Sequence, residues 1–332
     1  PEEWSGLLRA LADEGADALD RESVSLVARP DTEGFGAEPW TPFVERSAVE
    51  WGERLRETGT PLEDLLQDRQ GFVSGADRVT ARRLGQLDDP PDTLSKGDPV
   101  FLWRNDELTD RMRRLRGLVV RPLLRGSRIV ENSVRLAPPR EDFVLYLDGE
   151  LAGGRGEVVE HMEPLEPALA RRREVRRGRM PWYRLHWPRS RREQTGMKLV
   201  VPRRAEHPTF TLDLSASAVS SDCTYLVAPE GTRRPLRYLL TLMLLLNGAS
   251  TDRYLRRFGK RKGELLEFYS EPLRSLPLPV ERTDGELTWV ASPLADRVSS
   301  RISEKVDRAL RRIRSAADAG RSLVELGERR SS

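Results

Sequence analysis

Four strand-like runs followed by one apolar helix-like run constrain the fold of this chain more than any other feature. The runs WYRLHW, KLVVP, FTLDL and CTYLVAP lie close together, separated by short polar loops. The run RPLRYLLTLMLLLN follows at once, and its apolar composition on all sides predicts a buried helix between Pro235 and Asn247. Strands grouped together before grouped helices indicate an α+β fold, with a mixed, mostly antiparallel sheet and flanking helices.

The hydrophobic pattern changes towards the end of the chain. Apolar residues recur every three or four positions from Leu294 to Ile313 in a highly charged background. This spacing predicts one long amphipathic C-terminal helix over about 293–328, packed on the body or paired with another helix.

The chain divides by pattern into three parts. Residues 1–60 predict helices over 2–20 and 43–58 with a strand-like run between them, and 61–285 form the main α+β part. Residues 286–332 carry the long helix. Since the chain does not begin with Met and starts abruptly, we expect a piece of a longer polypeptide. Residues 1–60 are then a helical or linker segment, either the tail of a preceding domain or an insertion.

Composition narrows the class of protein. No apolar run approaches the ~20 residues that span a bilayer, and the first residues are acidic and amphipathic rather than a secretory signal. A single cysteine, Cys223, excludes a disulfide framework within the chain and suits a small buried residue in a strand. His161, His186 and His207 lack the spacing of metal ligands. We therefore expect a reducing, cytoplasmic setting and no metal.

Sequence motifs of the common enzyme classes are absent. There is no P-loop, no G-x-G-x-x-G opening a βα unit, no H-E-x-x-H and no G-x-S-x-G. The run DDPPD resembles the D-P-P-aromatic motif of amino-group DNA methyltransferases, but Asp92 replaces the ring that stacks on a flipped base. We therefore expect a loop there and a chain without catalytic residues of its own.

A segment rich in arginine and aromatic rings raises the question of a partner. Residues 171–192 contain ten arginines, two tryptophans, a tyrosine and a histidine, with one acid, Glu174. Only five of the 56 basic residues of the whole chain are lysine, so part of this bias reflects general arginine use. Clustered arginine beside flat rings nevertheless suits a polyanion whose bases can also be contacted, which favours nucleic acid.

Six motifs in one order resemble a known family. They are PLEDLLQDRQGFVSGADRV, VVRPLLRGSRI, RMPWYRLHWPR with MKLVVPRRAEHPTFTLD, SDCTYLVAPEG, LRYLLTLMLLLNGASTDRYLRRFGKRKGELLEF and EPLRSLPLP. Together they resemble the TaqI-like target-recognition domain of N6-adenine DNA methyltransferases, including type IIG-like restriction-modification enzymes. The resemblance covers 61–280. One departure is Gly248, where the family has the serine of Leu-Asn-Ser.

The resemblance implies sequence-specific recognition of double-stranded DNA within a restriction-modification or phage-defence system. The catalytic half of such an enzyme binds S-adenosylmethionine, and the motifs of that half are absent here. The expected partners are therefore double-stranded DNA and a methyltransferase catalytic domain in the same chain or in another one, with no cofactor and no membrane contact for this chain. The parent protein would be the adenine-specific methyltransferase.

Two groups of basic residues are candidates for contact with DNA phosphates, and a third group has rings that could reach bases or sugars. The first group lies in and after the arginine-rich segment: Arg179, Arg184, Arg189, Arg191, Arg192, Lys198, Arg203 and Arg204. The second lies between two glycines in the sequence GKRKG: Lys260, Arg261 and Lys262. Strand alternation predicts Trp182, Arg184 and His186 on an exposed face, with Tyr183, Leu185 and Trp187 in the core. The third group is therefore Trp182 and His186, whose rings are candidates for contact with a base or sugar.

Two other functions fit the same sequence. One is a scaffold or subunit-assembly protein that works through the long C-terminal helix, and the other is a complete enzyme whose catalytic residues have no recognisable spacing. Duplex binding that falls with salt favours the first interpretation. Association that depends on residues after Pro293 favours the scaffold, and cofactor binding by this chain favours the enzyme.

Overall fold

The computed structural model describes residues 46–148, 155–290 and 295–326. The predicted helix over 2–20 and the strand-like run after it lie outside these residues. Twelve α-helices are described: α1 Arg46–Thr58, α2 Leu62–Leu65, α3 Ala81–Leu84, α4 Asp110–Arg114, α5 Arg155–Met162, α6 Glu166–Ala170, α7 Arg173–Arg176, α8 Arg191–Thr195, α9 Pro235–Leu246, α10 Ala249–Phe258, α11 Ser270–Arg274 and α12 Ala295–Asp318. Short 3₁₀ turns cover Gly126–Arg128 and Glu163–Leu165.

Seventeen short strands complete the described elements: β1 Thr60–Pro61, β2 Gln67–Gln70, β3 Leu102–Arg104, β4 Val120–Leu124, β5 Ser133–Arg135, β6 Asp142–Leu145, β7 Lys198–Pro202, β8 Arg204–Ala205, β9 Thr211–Asp213, β10 Ala218–Val219, β11 Cys223–Val227, β12 Arg261–Lys262, β13 Leu265–Glu267, β14 Pro277–Leu278, β15 Val280–Thr283, β16 Glu286–Trp289 and β17 Leu323–Glu325. This content confirms the predicted α+β class.

The largest sheet has six strands in the order β17-β5-β9-β7-β11-β2. All neighbours in it are antiparallel except β5 and β9. A second sheet has the order β10-β4-β6-β3, with β10 parallel to β4. The mixed, mostly antiparallel prediction is therefore confirmed.

Two large hydrophobic clusters and a small one form the core. One cluster surrounds α9 and includes side chains of α2, β7, β9, α10 and α12. The second lies around β3, β4 and β6 together with α5 and α6. A small cluster, which includes Val200, Val219 and Tyr225, connects β4, β7, β10 and β11. The small cluster thus takes its side chains from strands of both large sheets.

Helix α9 is the buried helix that the sequence predicts. Pro235 occupies its first turn, where the missing N–H costs nothing, and Tyr238, Leu239, Leu242 and Met243 are fully or almost fully buried. Asn247 ends the helix, and its amide donates to the Phe210 carbonyl at 2.8 Å. The corner between α9 and α10 is therefore fixed to the loop before β9.

The long C-terminal helix is present but ends earlier than predicted. It stops at Asp318, the chain turns at Gly320 with φ +64°, and β17 then pairs with β5. Val306 and Ala309 of α12 are buried in the cluster around α9. The apolar positions of α12 from Ile302 to Ile313 thus pack within the chain, whereas Val298 near the start of the helix is 40% exposed.

The WYRLHW run is not a regular strand. Only Trp187 forms a β-bridge there, with Val73, and the residues before it form turns. Pro181 and Pro188 flank the run and lack the N–H groups that would continue a ladder. The chain therefore bends over the second cluster at this point. None of the described helices has the length and apolar character needed to cross a membrane.

An ion pair holds the turn at 71–78 to the second cluster. Arg78 donates to both carboxylate oxygens of Glu107, at 2.5 and 2.8 Å, and the Arg104 N–H donates to the same carboxylate at 2.7 Å. Burial acts to raise the pKa of Glu107, but these hydrogen bonds and the two arginine charges outweigh it and hold that pKa below its usual 4.5.

We expect Glu107→Gln to lower the free energy of unfolding by about 2 kcal/mol at neutral pH, because two charge-assisted hydrogen bonds weaken. In the wild type this stabilisation is present above pH 4.5 and is lost as the pH falls through the lowered pKa. Urea denaturation along a pH series measures the effect. The free energies of unfolding of wild type and variant should converge in acid. A difference between them that stays constant down to pH 3 would contradict the ion pair.

Candidate nucleic-acid interface

A small three-stranded sheet brings together two groups of basic residues that are far apart in sequence. Strand β8, which begins at Arg204, pairs with β13, and β13 pairs with β12, which is Arg261–Lys262. Arg203 directly precedes β8, and its carbonyl accepts from the Phe268 N–H at 2.8 Å. The structure therefore places Arg203, Arg204, Lys260, Arg261 and Lys262 on one sheet, which we call the basic sheet.

The GKRKG sequence is a β-hairpin rather than an open loop. Strands β12 and β13 are joined by Gly263 and Glu264, and Gly263 adopts φ +61°, a conformation that favours glycine. All residues from Lys260 to Glu264 are exposed. Arg261 pairs with Glu264 at 3.1 Å, whereas Lys262 has no ion-pair partner among the described residues.

A carboxylate and a ring hold the arginines of β8 in place. Arg204 donates to the almost buried Glu267 at 2.9 Å and to the hydroxyl of Tyr269 at 2.9 Å. Glu267 raises the pKa of Arg204 through this hydrogen bond. The Arg203 guanidinium lies 5.2 Å from the centre of the Tyr269 ring. Lys260 approaches the second oxygen of Glu267 at 3.8 Å, so one acid organises cations from two strands.

A shallow concavity of about 590 Å³ lies beside the basic sheet. Asp222 builds its floor, since its carboxylate accepts from the Gly126 N–H at 3.0 Å and its carbonyl accepts from the Arg203 N–H at 2.8 Å. The lining residues come from the 3₁₀ turn after β4, the loop before β11 and the basic sheet: Gly126, Ser127, Pro202, Arg203, Arg204, Ser221, Asp222 and Tyr269. The turn at 125–128 and the turn at 202–204 thus lie on the same open surface.

Arg189 reaches the same region from the arginine-rich segment. Its Nε–H donates to the Gly71 carbonyl at 3.4 Å, and the Gly71 N–H donates to Cys223, next to Asp222, at 3.2 Å. Tyr146 fixes the backbone of Arg189, because its hydroxyl accepts from the Arg189 N–H at 2.8 Å and donates to the Arg189 carbonyl at 2.7 Å. Arg189 is thus connected through Gly71 to Cys223, the residue that follows Asp222.

One arginine of the segment that was not a candidate has a structural role. Arg172 donates to the carbonyls of Leu169, at 3.1 Å, and of Trp182, and its guanidinium lies 5.8 Å from the Phe101 ring. Burial and then the charge of Arg83 lower the pKa of Arg172 to about 10. Arg172 thus clamps the bend of the segment onto the second cluster.

The aromatic residues follow the predicted alternation with one exception. Tyr183 and Leu185 are buried, and Trp182, Arg184 and His186 are partly exposed. Trp187 is 54% exposed, so its predicted place in the core is wrong. Its backbone is held by Val73 in a bridge while Pro188 turns the chain outward.

The two partly exposed rings differ in their packing. Trp182 packs against the second cluster and meets Tyr183 edge to face at 5.7 Å. The His186 ring lies 4.6 Å from that of Trp187, and burial followed by the charge of Arg172 lowers the pKa of His186. His186 and Trp187 therefore form a pair of neighbouring rings two residues before Arg189.

Lys198 is not available to a phosphate, which corrects its place among the candidates. It is fully buried at the start of β7, where its Nζ lies 2.8 Å from the equally buried carboxylate of Asp213 in β9. Strand pairing dictates the contact, since Lys198 and Asp213 are opposite each other in the antiparallel register. The lysine also donates to the Gln194 carbonyl at 2.5 Å.

The remaining candidates are spread along the segment. Arg179 is exposed and pairs with Glu174 at 3.1 Å, and Arg184 is half-buried. Arg191 and Arg192 begin α8, but their side chains lie outside the described residues. Arg203, Arg204 and the hairpin cations thus form the compact group, with Arg189 beside it.

Sequence analysis missed Tyr269, Glu267 and Asp222, which organise the site. The run EFY, residues 267–269, is an available signal for Glu267 and Tyr269, because it places an acid and a ring soon after the basic tip of the hairpin. Nothing in the spacing indicates Asp222, since its partner Gly126 is 96 residues away.

Among solved structures, the chain is similar to the type IIL restriction-modification enzyme MmeI in complex with DNA. The two share 13% identity with a TM-score of 0.46, over 77% of this chain and 29% of that chain. This chain spans less than a third of that enzyme's length, and a likeness at this level carries no argument about activity. No family model and no curated protein matches the chain.

Proposed function

We propose that this chain recognises double-stranded DNA and that the basic sheet, with the concavity beside it, is its DNA-binding surface. The observation that carries the proposal is the meeting of five basic residues in and directly before β8 and β12, two strands of one three-stranded sheet, around an exposed hairpin and the Tyr269 ring. Cations held in fixed directions suit phosphate oxygens, and a protruding two-stranded hairpin has the dimensions of an element that enters a groove.

The finer role follows from the motif order described above. We propose that the chain is the specificity part of a site-specific N6-adenine methyltransferase of a restriction-modification or phage-defence system. The catalytic half, which would bind S-adenosylmethionine, would lie in another part of the parent protein or in a partner. In the described residues no glycine-rich turn joins a parallel strand to a helix as a cofactor site would require, so this chain alone should bind no S-adenosylmethionine.

Contacts are assigned by position. Arg203, Arg204 and the hairpin residues Lys260 to Lys262 contact phosphates, with Arg189 at the margin of the concavity. Trp187 replaces Trp182 as the ring best exposed for contact with a sugar or base, together with its neighbour His186. Arg179 and Arg184 are outlying contacts.

We expect the triple substitution Lys260→Gln, Arg261→Gln and Lys262→Gln to weaken duplex binding strongly. Each lost phosphate contact reduces the slope of log K against log salt by about 0.9, so the triple variant should lose about 2.7. Fluorescence anisotropy with a 30-base-pair duplex over a range of NaCl concentrations measures this slope. Because all three side chains are exposed, folding should be unaffected.

A matched control removes three positive charges from exposed positions in 82–114, the part of the chain that forms much of the second hydrophobic cluster. Arg82, Lys96 and Arg114 are exposed, have no ion-pair partner among the described residues and can be replaced by Gln together. This variant should retain the wild-type slope. If both variants lost the same amount of slope, the effect would be due to net charge alone, and this would contradict a DNA-binding hairpin.

Specificity needs a second measurement. Selection from random duplexes, with the parent protein that contains the catalytic half, should enrich one short adenine-containing site. Absence of any enriched site would leave binding to DNA in place but would overturn the role in sequence recognition.

A further inference from the structure

A second basic surface lies on the C-terminal helix, away from the basic sheet. Arg301, Lys305, Arg308 and Arg312 of α12 fall within an arc of about 60° at 3.6 residues per turn, so they form one stripe along the helix. All four are exposed. We call this set the α12 stripe.

Most cations of the stripe have no ion-pair partner among the described residues. Arg301, Lys305 and Arg308 have no ion-pair partner among the described residues, while Arg312 donates to the Leu326 carbonyl at 3.3 Å. The nearby acid Asp307 is engaged elsewhere, since it pairs with Arg237 on α9. Glu304 is the acid of α12 that borders the stripe. A row of uncompensated cations repels itself, so a bound anion stabilises it.

The stripe forms one wall of a concave site. Lys305, Arg308 and Arg312 line a cavity of about 320 Å³ whose opposite wall is the corner between α9 and α10, with Asn132, Asn247 and Ala249. Gly248 precedes α10 without a side-chain cap, so the positive end of that helix adds to the cations. The apolar positions of α12, such as Val306 and Ala309, face the core and fix the direction of the stripe.

Helix α10 connects this cavity to the basic sheet. It begins at Ala249 beside the cavity, and it ends at Phe258, directly before Gly259 and the hairpin. Helix α10 has ten residues and is about 15 Å long at 1.5 Å per residue, and we take this length as the spacing between the two basic surfaces. This distance corresponds to about four base pairs at 3.4 Å per step.

We propose that the α12 stripe is a second DNA-binding site, which holds backbone phosphates about four base pairs beyond those held by the hairpin. The inference rests on the proposed function and extends it. The stripe makes no contact that reads base sequence, so it supplies affinity and fixes the direction in which the duplex leaves the hairpin.

Charge removal tests the affinity that the stripe supplies. In Arg301→Gln, Lys305→Gln and Arg308→Gln combined, the salt slope for a 30-base-pair duplex should fall by about 2.7, as it does for three phosphate contacts. The variant with Arg82, Lys96 and Arg114 replaced by Gln should keep the wild-type slope. An unchanged slope in the α12 variant overturns the second site.

Crosslinking tests its position independently of affinity. A photocrosslinker can be attached through Lys305→Cys, because the native Cys223 is fully buried and its thiol is inaccessible. This position should crosslink to duplex DNA, whereas the same probe attached through Lys96→Cys should not. Crosslinking from both positions, or from neither, overturns the placement of the stripe on the DNA.

The outcomes separate the two proposals. If wild-type protein binds duplex through the hairpin but the α12 variant and the crosslinker at position 305 show no effect, the second site is wrong and the proposed function stands. If wild-type protein binds no duplex, both are wrong.

Discussion

Lys198→Met is expected to lower the free energy of unfolding by about 3–5 kcal/mol, because it leaves the Asp213 carboxylate buried without its cation. Both side chains are fully buried, and among the described residues Asp213 would keep the hydrogen bonds from the Ser215 N–H, at 3.0 Å, and from the Ser215 hydroxyl, together with the nearby charge of Arg135. Methionine has a similar length and fits the apolar surroundings, so the loss reports the ion pair rather than a cavity. Urea denaturation followed by circular dichroism measures it.

Two further variants make the Lys198 result specific. Adding Asp213→Leu to Lys198→Met should recover part of the lost stability, because no uncompensated charge then remains in the interior. Lys305→Met, at an exposed position of α12, should change stability by less than about 0.5 kcal/mol. A loss below about 1 kcal/mol for Lys198→Met would show that water reaches the pair.

Gly71→Ala is expected to lower the free energy of unfolding by about 3 kcal/mol, because there is no space for a methyl group at this position. A Cβ there would lie 1.9 Å from the Ser220 carbonyl oxygen and 2.6 Å from that of Val219. Both are backbone atoms at the end of β10, which is paired with β4, so they cannot turn aside. The neighbouring hydrogen bond from the Phe72 N–H to the Val219 carbonyl, 3.0 Å, would also weaken. Thermal and urea unfolding measure the loss.

The same substitution should reduce duplex binding, since Gly71 also accepts from Arg189 and donates to Cys223 beside the concavity. Gly156→Ala is the matched control. Gly156 lies in α5 with nothing within 4 Å of its Cβ position, so alanine there should stabilise the protein by about 0.5–1 kcal/mol. Equal stability of the two alanine variants would contradict the close approach of the strands at Gly71.

Elements with a strong local signal could be predicted from the sequence. The buried α9, the amphipathic α10 and α12, and strands β7, β9 and β11 all have apolar periods that leave few alternatives. The basic hairpin was found from its glycine flanks and its charge, although pairing of β12 with β13 was not foreseen.

The remaining features depend on contacts between distant parts of the chain. Lys198 was assigned to phosphate with the other basic residues in and after the arginine-rich segment, and only the register with Asp213 reveals its burial. Trp187 was assigned to the core by strand alternation, but a single bridge between two prolines does not keep that period. Gly75 adopts a positive φ that glycine permits in a turn, whereas Gly71 is needed because the backbone there passes close to Val219 and Ser220 at the end of β10, a contact that the sequence does not reveal.

The hairpin tip has a consequence for how this chain can diversify. None of the five residues from Lys260 to Glu264 contributes a buried side chain, while the strand that carries them is fastened through Leu266, Glu267 and Phe268. Under the proposed role in DNA recognition, mutations at the tip would change the contacts with DNA while the interior keeps its sequence. Folding and the choice of DNA site could then evolve at separate positions, as in antibody loops.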